Sequence, residues 1–393
     1  MKEDKIVLVF IFPGCMGGVA SYNRNLINHT TLKEQCYIRV ILLDPFEDKR
    51  PRFKDTIEAD EVIHFAYSHR ENQYSVCKRL HKMIGEEAGC VIADNSLTLN
   101  ALSVFGSVKK MIYLVHDYFY VAWALHYHRV IDVAVAHSSF FRDILLAADI
   151  IAYHDKIFYI PYGVELPPED YVKPVNSVLK LVFLGRLIEE KGVLLLKDID
   201  KQLQKEGIKA EWTIIGQGYL EQTLHDQWKG CTNVRFVQAN DTQAVYSILQ
   251  EQDILVFPSW FEGTPVSIME ALSRGVIPVV SDLPGGTRDM VTEEIGIRCD
   301  VKDPVAYAKA IEDLYRNRTK MKQMHEACLH TARKRYDINK AADSNFSFFL
   351  RQSEATKRTG AKHIARFSSL DREFIPNWVV YNLRTLKQYF NSR

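Results

Sequence analysis

Two glutamates, Glu262 and Glu270, stand on either side of a predicted helix start. Thr264 followed by Pro265 predicts an N-cap and a first helical position. Glu262 therefore precedes a helix N-terminus, whose free amide groups and dipole favour an anion such as a diphosphate. A hydroxylated, anionic ligand suits this corner. The helical period directs Glu270 away from the apolar face, so that it can face a ligand. The alternative for Glu270 is an i,i+4 ion pair with Arg274 on a solvated helix, worth only about 0.2–0.5 kcal/mol.

A second segment, 184–192, places two cations in one loop-to-helix transition. Arg186 and Lys191 follow an apolar run that predicts a strand. Arginine binds phosphate through a planar fork and lysine binds it as a point charge. Together they would neutralise a leaving diphosphate.

Two turns in the first half of the chain carry further candidates. Gly17 and Gly18 follow the first apolar run and open a helix, and they form either a phosphate contact or a tight turn that needs positive φ. His116 ends another apolar run, where it can donate to a sugar hydroxyl or phosphate, and the neighbouring Asp117 is expected to fix its tautomer. The alternative for a solitary histidine is a structural role.

The elements that must position these residues follow from short apolar, β-branched runs at wide spacing, with helical stretches between them. This pattern is typical of parallel βαβ units. We predict strands over 6–12, 37–43, 61–65, 90–93, 111–116, 131–136, 157–160, 179–184, 211–215, 234–237, 253–257, 276–280 and 295–298. Ligands bind outside the carboxyl ends of the strands in such sheets, which is where the candidate residues fall.

The length of 393 residues predicts two domains, because one hydrophobic core seldom serves so long a chain. The segment from Val164 to Ser177 contains three prolines and marks the boundary. The predicted fold class is therefore α/β, with two Rossmann-like, doubly wound parallel sheets. The predicted divisions are an N-terminal domain (1–165), a linker (166–177), a C-terminal domain (178–335), a crossover helix (336–353) and a basic tail (354–393).

Charge and cysteine content exclude some classes of protein. The 50 lysines and arginines nearly balance 49 acidic residues, so there is no global electrostatic case for nucleic-acid binding. The seven cysteines show no CxxC spacing, which favours a reducing, cytoplasmic location over a zinc or redox site. The apolar run Ile6 to Phe12 is too short to span a bilayer.

Taken together, these motifs resemble the retaining glycosyltransferases of family four (glycosyl transferases group 1), which have the GT-B fold. The resemblance covers about residues 5 to 350 and is most specific from Gly185 to Gly286. It rests on the following pieces: Gly17-Gly18, His116, Ile160 to Val164, Gly185-Arg186, Lys191-Gly192, Gly216-Gln217-Gly218, Glu262, Glu270 and Pro284-Gly285-Gly286.

The resemblance implies a role for each matching residue in a cleft between the two domains. Arg186 and Lys191 would hold the donor diphosphate, Glu262 the sugar hydroxyls and Glu270 the ribose hydroxyls. The remaining roles concern the phosphates and the transferring sugar: the amides around Gly263 and Thr264 would support the phosphates or the sugar, His116 would lie beside the sugar, and Gly17 and Gly18 would close the phosphate end. The expected catalytic residues are Glu262, His116, Arg186 and Lys191.

The family's reaction is thought to take place on one face of the donor, with the leaving phosphate helping to deprotonate the acceptor. Positioning and charge stabilisation then carry catalysis, and no metal or cofactor is expected. Asp198 and Asp200 are predicted to lie on a helix, away from the strand ends. His126 and His128 are predicted to be exposed or structural rather than metal ligands.

The expected donor is a nucleotide sugar, with UDP favoured and GDP-mannose allowed, and the expected acceptor is a saccharide or lipid-linked saccharide. Alternatives are a nucleotide-sugar epimerase and a non-catalytic nucleotide-sugar-binding scaffold. The aromatic cluster Tyr118, Phe119, Tyr120 and Trp123 would either stack on an acceptor sugar or pack in the core.

The tail 354–393 has eight basic and three acidic residues. Within it, Val379, Leu383, Leu386 and Phe390 form one helical stripe, with Arg384 and Lys387 away from it. Two interpretations stay open: residues 374–390 contact the inner face of a membrane peripherally, or the helix folds back on the first domain.

Overall fold

The chain forms two compact units in a computed structural model that describes residues 5–15, 17–52, 56–148, 154–174, 176–239, 241–353, 360 and 364–391. Unit 1 comprises residues 1–137, 141–160 and 339–393, and unit 2 comprises residues 138–140 and 161–338. Each unit is built around a parallel sheet covered by helices, so the predicted α/β class is confirmed.

The described residues of unit 1 form a seven-stranded sheet of order β3-β2-β1-β4-β5-β6-β7. Its strands are β1 (Ile6–Pro13), β2 (Cys36–Pro45), β3 (Glu61–Tyr67), β4 (Gly89–Ala93), β5 (Lys110–Val115), β6 (Val133–Ala136) and β7 (Ile157–Tyr159). All neighbours pair in parallel. The central strands are buried along nearly their whole length, whereas the edge strand β3 alternates, because helices cover both faces of the sheet centre.

Helices connect these strands and complete unit 1. They are α1 (Gly18–His29), α2 (Gln73–Ile84), α3 (Ser96–Phe105), α4 (Tyr118–His126), α5 (Ser139–Ala147), and, from the far end of the chain, α13 (Ile338–Arg351) and α14 (Asn377–Asn391). Three of the inner helices begin at a side-chain cap: Asn72 for α2, Asn95 for α3 and Asp117 for α4.

The described residues of unit 2 form a six-stranded parallel sheet of order β10-β9-β8-β11-β12-β13. Its strands are β8 (Leu179–Leu184), β9 (Ala210–Ile215), β10 (Val234–Val237), β11 (Ile254–Phe257), β12 (Ile277–Ser281) and β13 (Ile297–Cys299). Its helices are α6 (Leu195–Lys205), α7 (Glu221–Gln227), α8 (Thr242–Gln250), α9 (Val266–Ser273), α10 (Gly286–Met290), α11 (Pro304–Arg316) and α12 (Arg318–Arg335). Every predicted strand of both units is present, and its bounds differ from the prediction by two residues at most.

The chain leaves unit 1 between Ile160 and Pro161, ahead of the proline-containing segment 166–177. That segment is tied to unit 2, because the buried Lys173 ammonium donates to the carbonyl oxygens of Leu249 and Gln250 at the end of α8. Burial lowers the pKa of Lys173 to about 7.

Helix α13 supplies core to unit 1 although it follows unit 2 in sequence. Its Phe346 and Phe349 are fully buried, with ring centroids 5.7 and 5.9 Å from the ring of Phe10 on β1. The Cys90 thiol on β4 donates to the carbonyl oxygen of Phe349 at 3.5 Å. The central strands of unit 1 therefore depend on residues more than 250 positions away.

Within the described part of the chain, no helix is both long and apolar enough to cross a membrane.

We predict that Phe346→Ala lowers the free energy of unfolding by about 3–5 kcal/mol, because it leaves a cavity against Phe10. The change in the free energy of unfolding would be measured by chemical denaturation, with a signal that reports the unfolding of unit 1. Phe374→Ala is the matched control, since Phe374 is 83% exposed and its loss should change stability little. Equal stabilities of the two variants would contradict the role assigned to α13.

Candidate functional site

The turn after β8 brings two predicted cations to the carboxyl edge of the unit 2 sheet. A short 3-10 turn, Glu189–Lys191, ends at Gly192, whose φ of 63° lies in the left-handed region. A Cβ atom on Gly192 would lie 1.9 Å from the carbonyl oxygen of Pro258, so only glycine permits this approach. The Trp260 amide also donates to the Glu190 carbonyl oxygen at 2.8 Å. The turn is therefore clamped onto the segment that follows β11.

This clamp joins Lys191 to Glu262. The Lys191 ammonium lies 2.6 Å from Oε1 of Glu262, and the two side chains are 15% and 5% exposed. The ammonium also lies 5.6 Å from the ring centroid of Phe257, close enough for a cation–π contact. Two residues predicted to touch different parts of one donor thus form a nearly buried ion pair.

Arg186 lies in the same turn and is exposed. Its backbone carbonyl oxygen accepts from the Ile188 amide at 3.0 Å, but its guanidinium group has no hydrogen bond or ion pair to the described residues of unit 2. Its guanidinium group can therefore bind an anion without first giving up a protein partner.

Helix α9 begins one residue later than predicted, and Thr264 is not its N-cap. Pro265 takes the N-cap position with an extended ψ of 103°, so the first helical residue is Val266. The Thr264 hydroxyl is instead buried, without a hydrogen-bond partner in the described structure, as are Oγ of Ser259 and Nε1 of Trp260. Buried polar groups are normally paired, so water or a polar ligand would supply the partners of these three groups on one loop.

The turn at Gly263 is held by the glycines that follow β12. The Gly286 amide donates to the Gly263 carbonyl oxygen at 3.1 Å. A Cβ atom on Gly286 would come within 2.3 Å of that oxygen, which explains the glycine at this position.

Glu270 lies on α9 as the helical period predicts: it is half-buried, between the buried residues Met269 and Ala271. Arg274 is only 4% exposed, and its guanidinium carbon lies 3.9 Å from the centroid of the Tyr246 ring. Burial lowers the pKa of Arg274. Arg274 therefore does not lie on a solvated face, although the Glu270 carboxylate still acts on it electrostatically and opposes this lowering of its pKa.

In unit 1, His116 lies at the end of β5 and is 6% exposed. Its Nε2 is 3.3 Å from Oδ2 of Asp94, which follows β4. The prediction that Asp117 fixes the tautomer is wrong: the Asp117 carboxylate caps α4 by accepting from the amides of Phe119 and Tyr120. The N-terminal amides of α4 attract that carboxylate more strongly than the ring beside it in sequence.

Asp94 has a counterpart in His137, which follows β6, and the sequence interpretation missed both. The His137 ring stacks on His116 with centroids 5.1 Å apart, and its Nδ1 lies 2.8 Å from the Ile160 carbonyl oxygen. Burial, together with the nearby His116, holds the pKa of His137 well below its usual range. Tyr22 and Tyr120 enclose the two rings, with centroids 4.6 Å from His137 and 4.9 Å from His116 respectively. Three successive strand ends thus form one buried cluster.

The glycine turn after β1 is not a tight turn with positive φ. Gly17 is extended, with a φ of 164°, and a Cβ atom placed there would meet nothing within 4 Å. Gly18 is the first residue of α1, which has no side-chain cap. The space before this helix N-terminus is therefore open, which keeps the phosphate contact as a prediction.

The aromatic residues of α4 are not simply core. Phe119 is 68% exposed and Tyr118 38% exposed. Tyr120 and Trp123 are half-buried, with ring centroids 5.8 Å apart. Phe119 is therefore not packed in the core, whereas the Tyr118 ring lies edge-on to the buried Phe141 ring, with centroids 5.2 Å apart.

The residues doubted as metal ligands have structural contacts. Asp198 and Asp200 lie on α6, as predicted, and the buried Asp200 carboxylate accepts from Nε1 of Trp212 at 3.0 Å. His126 and His128 each have a ring nitrogen within 3.0 Å of a backbone carbonyl oxygen. In the ranges that the structure describes, no group of three or more histidine, cysteine, aspartate or glutamate side chains could hold a metal ion.

We predict that the buried, neutral His137 makes unit 1 less stable as the pH falls. Its native pKa is depressed below 6.5, so the unfolded chain binds the extra proton. The free energy of unfolding should therefore fall below pH 6.5, with a slope approaching about 1.4 kcal/mol per pH unit. His137→Asn keeps a donor for Ile160 and should flatten the slope measured by denaturation between pH 7 and 5.

The exposed His330→Asn is the control for this measurement and should leave the slope unchanged. Parallel pH profiles for the wild type and His137→Asn would contradict the assignment.

Comparison with known proteins finds sequence matches to parts of the chain. Residues 173–333 match the family described as Glycosyl transferases group 1. The amylovoran biosynthesis glycosyltransferase AmsK of Erwinia amylovora is 30% identical over 132 residues, which are 31% of this chain and 32% of that protein. An Escherichia coli UDP-Gal:alpha-D-GlcNAc-diphosphoundecaprenol alpha-1,3-galactosyltransferase is 26% identical over 173 residues, which are 40% of this chain and 44% of that protein.

The chain thus aligns with about a third of the length of the first curated relatives it matches. Similarity of fold extends further. HepE of Anabaena, in complex with UDP and glucose, superimposes with a TM-score of 0.69 at 15% identity, covering 88% of this chain and 99% of that one. The sucrose-phosphate synthase of Thermosynechococcus elongatus gives a TM-score of 0.71 at 13% identity, with the same coverage.

Proposed function

We propose that this chain is a retaining glycosyltransferase that transfers a sugar from a nucleotide-diphosphate sugar to a saccharide or a lipid-linked saccharide in glycan or polysaccharide synthesis. The observation that carries the proposal is the buried Lys191–Glu262 pair beside the exposed Arg186. It puts cations for a diphosphate and a carboxylate for hydroxyl groups at one sheet edge. The match of residues 173–333 to Glycosyl transferases group 1 supports it.

The chemical step breaks the bond between the anomeric carbon of the sugar and the diphosphate oxygen. The bonding pair leaves with the diphosphate, and the new charge is neutralised by Lys191, Arg186 and the free amides before α9. The acceptor oxygen forms its bond on the face from which the diphosphate departs. Its proton passes to the departing phosphate, so no protein nucleophile is needed. Because the new bond forms on the face that the diphosphate leaves, the configuration at the anomeric carbon is retained.

Glu262 and Glu270 bind hydroxyl groups in this proposal. As Lys191 turns to the diphosphate, the Glu262 carboxylate exchanges its cation for sugar hydroxyl donors. Glu270 receives the ribose hydroxyls. The Thr264 hydroxyl, which has no partner in the described structure, is placed to contact the phosphates or the sugar. The contacts of His116, Gly17 and Gly18 with the sugar and phosphate stay predictions.

We favour a UDP-sugar donor over GDP-mannose and propose that catalysis needs neither metal nor cofactor. Two observations support UDP: HepE is solved with UDP-glucose, and the name of one relative specifies UDP-Gal. The cations of Lys191 and Arg186 supply the charge that a metal would otherwise bring to the diphosphate. We propose that the protein acts in the cytoplasm, in line with seven cysteines that show no CxxC spacing.

We predict that Glu262→Gln, which keeps a hydrogen-bond acceptor for Lys191, lowers kcat by about 10²–10³-fold while the protein stays folded. Lys191→Met should lower it at least as much. It should also destabilise unit 2 by about 3–5 kcal/mol, because Glu262 is left buried and unpaired. Initial rates with a UDP-sugar and a saccharide acceptor, in the presence of EDTA, would measure the first effect.

Lys209→Met and Glu211→Gln remove exposed charges of the same types from unit 2, and they should leave the rate unchanged. Near-normal turnover in folded Glu262→Gln would refute the site. If NMR of the product showed that the anomeric configuration had been inverted, the retaining mechanism would be refuted, but the site would not.

We predict that one nucleoside diphosphate selectively raises the melting temperature of the metal-free protein in a screen of UDP, GDP and ADP. The shift should be largest for UDP and should disappear in Glu270→Ala. A larger shift with GDP would reassign the donor and keep the site. A shift that persists in Glu270→Ala would remove Glu270 from the nucleotide site.

Reactions run with and without an acceptor distinguish the proposed transferase from the epimerase and scaffold alternatives. An epimerase consumes the nucleotide sugar without an acceptor, whereas a scaffold binds it and leaves it unchanged. Transfer that depends on the acceptor supports the proposal over both.

A further inference from the structure

The C-terminal segment 364–391 is anchored to unit 1 at the start of α2. The Asn72 side-chain amide donates to the carbonyl oxygens of Arg372 and Ile375 at 2.9 and 2.8 Å. The Asp371 carboxylate accepts from the Gln73 amide at 2.7 Å and is 2% exposed. The orientation of α14 on unit 1 is therefore fixed by its preceding turn.

Helix α14 uses a mainly polar face for this anchoring. Asn377 accepts from the Asn72 amide at 2.6 Å, and Arg384 pairs with Asp371 at 2.7 Å. Between them, Val380 is fully buried. These three residues are spaced i, i+3 and i+7, so they lie on one side of the helix.

The apolar stripe predicted for this helix is not the face that docks. Val379 is half-buried and Leu383 is 46% exposed. The side chains of Leu386 and Phe390 lie outside the described residues. The helix does fold back on the first unit, as one interpretation expected, and of the two described stripe residues it leaves Leu383 exposed and Val379 half-buried.

Aromatic residues extend the exposed apolar area. Trp378 is 69% exposed and lies nearly opposite Val380 on the helix. Phe374, in the turn before the helix, is 83% exposed, and Tyr381 is 40% exposed. Indole and phenol rings are enriched where protein meets the headgroup layer of a bilayer, because one end is apolar and the other can hydrogen-bond.

Charge identifies the partner. Residues 354–393 carry eight lysines and arginines against three acidic residues, in a chain whose net charge is only +1. Arg372 is exposed two residues before Phe374, and Lys387 is exposed one helical turn after Leu383 on α14. The exposed Glu373 offsets one of these two positive charges. A second copy of this chain would present the same positive charge and repel it, whereas anionic lipid headgroups complement it.

We propose that this surface attaches unit 1 peripherally to an anionic lipid bilayer. The surface, which we call the tail surface, consists of Arg372, Phe374, Trp378, Tyr381, Leu383 and Lys387. The aromatic and leucine side chains enter the headgroup layer, and the two cations contact lipid phosphates. The inference does not depend on the proposed enzymatic activity, although a lipid-linked acceptor would be reached from such a position.

The test is co-sedimentation of the full chain with vesicles of phosphatidylcholine, with and without phosphatidylglycerol. We expect binding to the vesicles that contain phosphatidylglycerol, and weaker binding at high salt. The double variant Phe374→Ser/Trp378→Ser should bind at least about tenfold more weakly. Both side chains are exposed, so its melting temperature should match that of the wild type. Phe46→Ser is the matched control, because Phe46 is also 69% exposed on unit 1.

Three results would overturn the proposal: no binding to anionic vesicles, equal binding to phosphatidylcholine alone, or equal binding by the double variant. Concentration-dependent dimerisation that the double variant abolishes in sedimentation velocity would assign the tail surface to a second copy and also overturn it. Transfer to a water-soluble acceptor should be unchanged in the double variant, which keeps this test separate from that of the enzymatic activity.

Discussion

A parallel sheet must bury both of its faces, and each strand must be followed by a crossover that returns to the opposite end. Both sheets of this protein obey that constraint, so every strand ends at the same edge as its neighbours. In unit 2, this edge collects the turns after β8, β11 and β12, which carry Arg186, Lys191, Glu262 and Gly286. In unit 1, it collects Asp94, His116 and His137. These polar residues thus lie at the sheet edges because the apolar strands must be covered by helices on both faces.

Within unit 2, the clamp at Gly192 does more than shape a turn. It fixes the Lys191 backbone against the segment that carries Glu262, so the distance between the two charges depends on backbone contacts as well as on side-chain rotamers. A charge pair removed from water is stabilising only when its geometry is good, and the clamp provides that geometry. A diphosphate that bound here would compete with Glu262 for the Lys191 ammonium. Its affinity for the protein would then depend on the difference between the Lys191–diphosphate and Lys191–Glu262 interactions.

The sequence predicted the strands well because uninterrupted runs of β-branched and apolar residues have few other uses in a chain of this composition. It also placed Arg186, Lys191 and Glu262 in turns after strands, and the structure brings Lys191 and Glu262 together. Asp94 and His137 were missed, although each directly follows a strand, as His116 does. Asp117 was misassigned because its carboxylate accepts from the first amides of α4 and not from His116. Thr264 was misassigned because Pro265, with its extended ψ, takes the N-cap position. The spacing of residues in the sequence shows neither effect. The docked face of α14 could not be predicted, because it depends on Asn72 and Asp371 and not on hydrophobic period.

The insertion of α13 into the core of unit 1 has a consequence for how the protein is made on the ribosome. Residues 161–338 form one continuous stretch, so unit 2 can fold as soon as that stretch has emerged. Unit 1 is begun first, yet the aromatic rings that cover Phe10 belong to a helix that is synthesised after the whole of unit 2. Until then, its central strand is left with an open apolar side, a natural target for chaperones. The core of unit 1 can therefore be completed only after the whole of unit 2 has been synthesised.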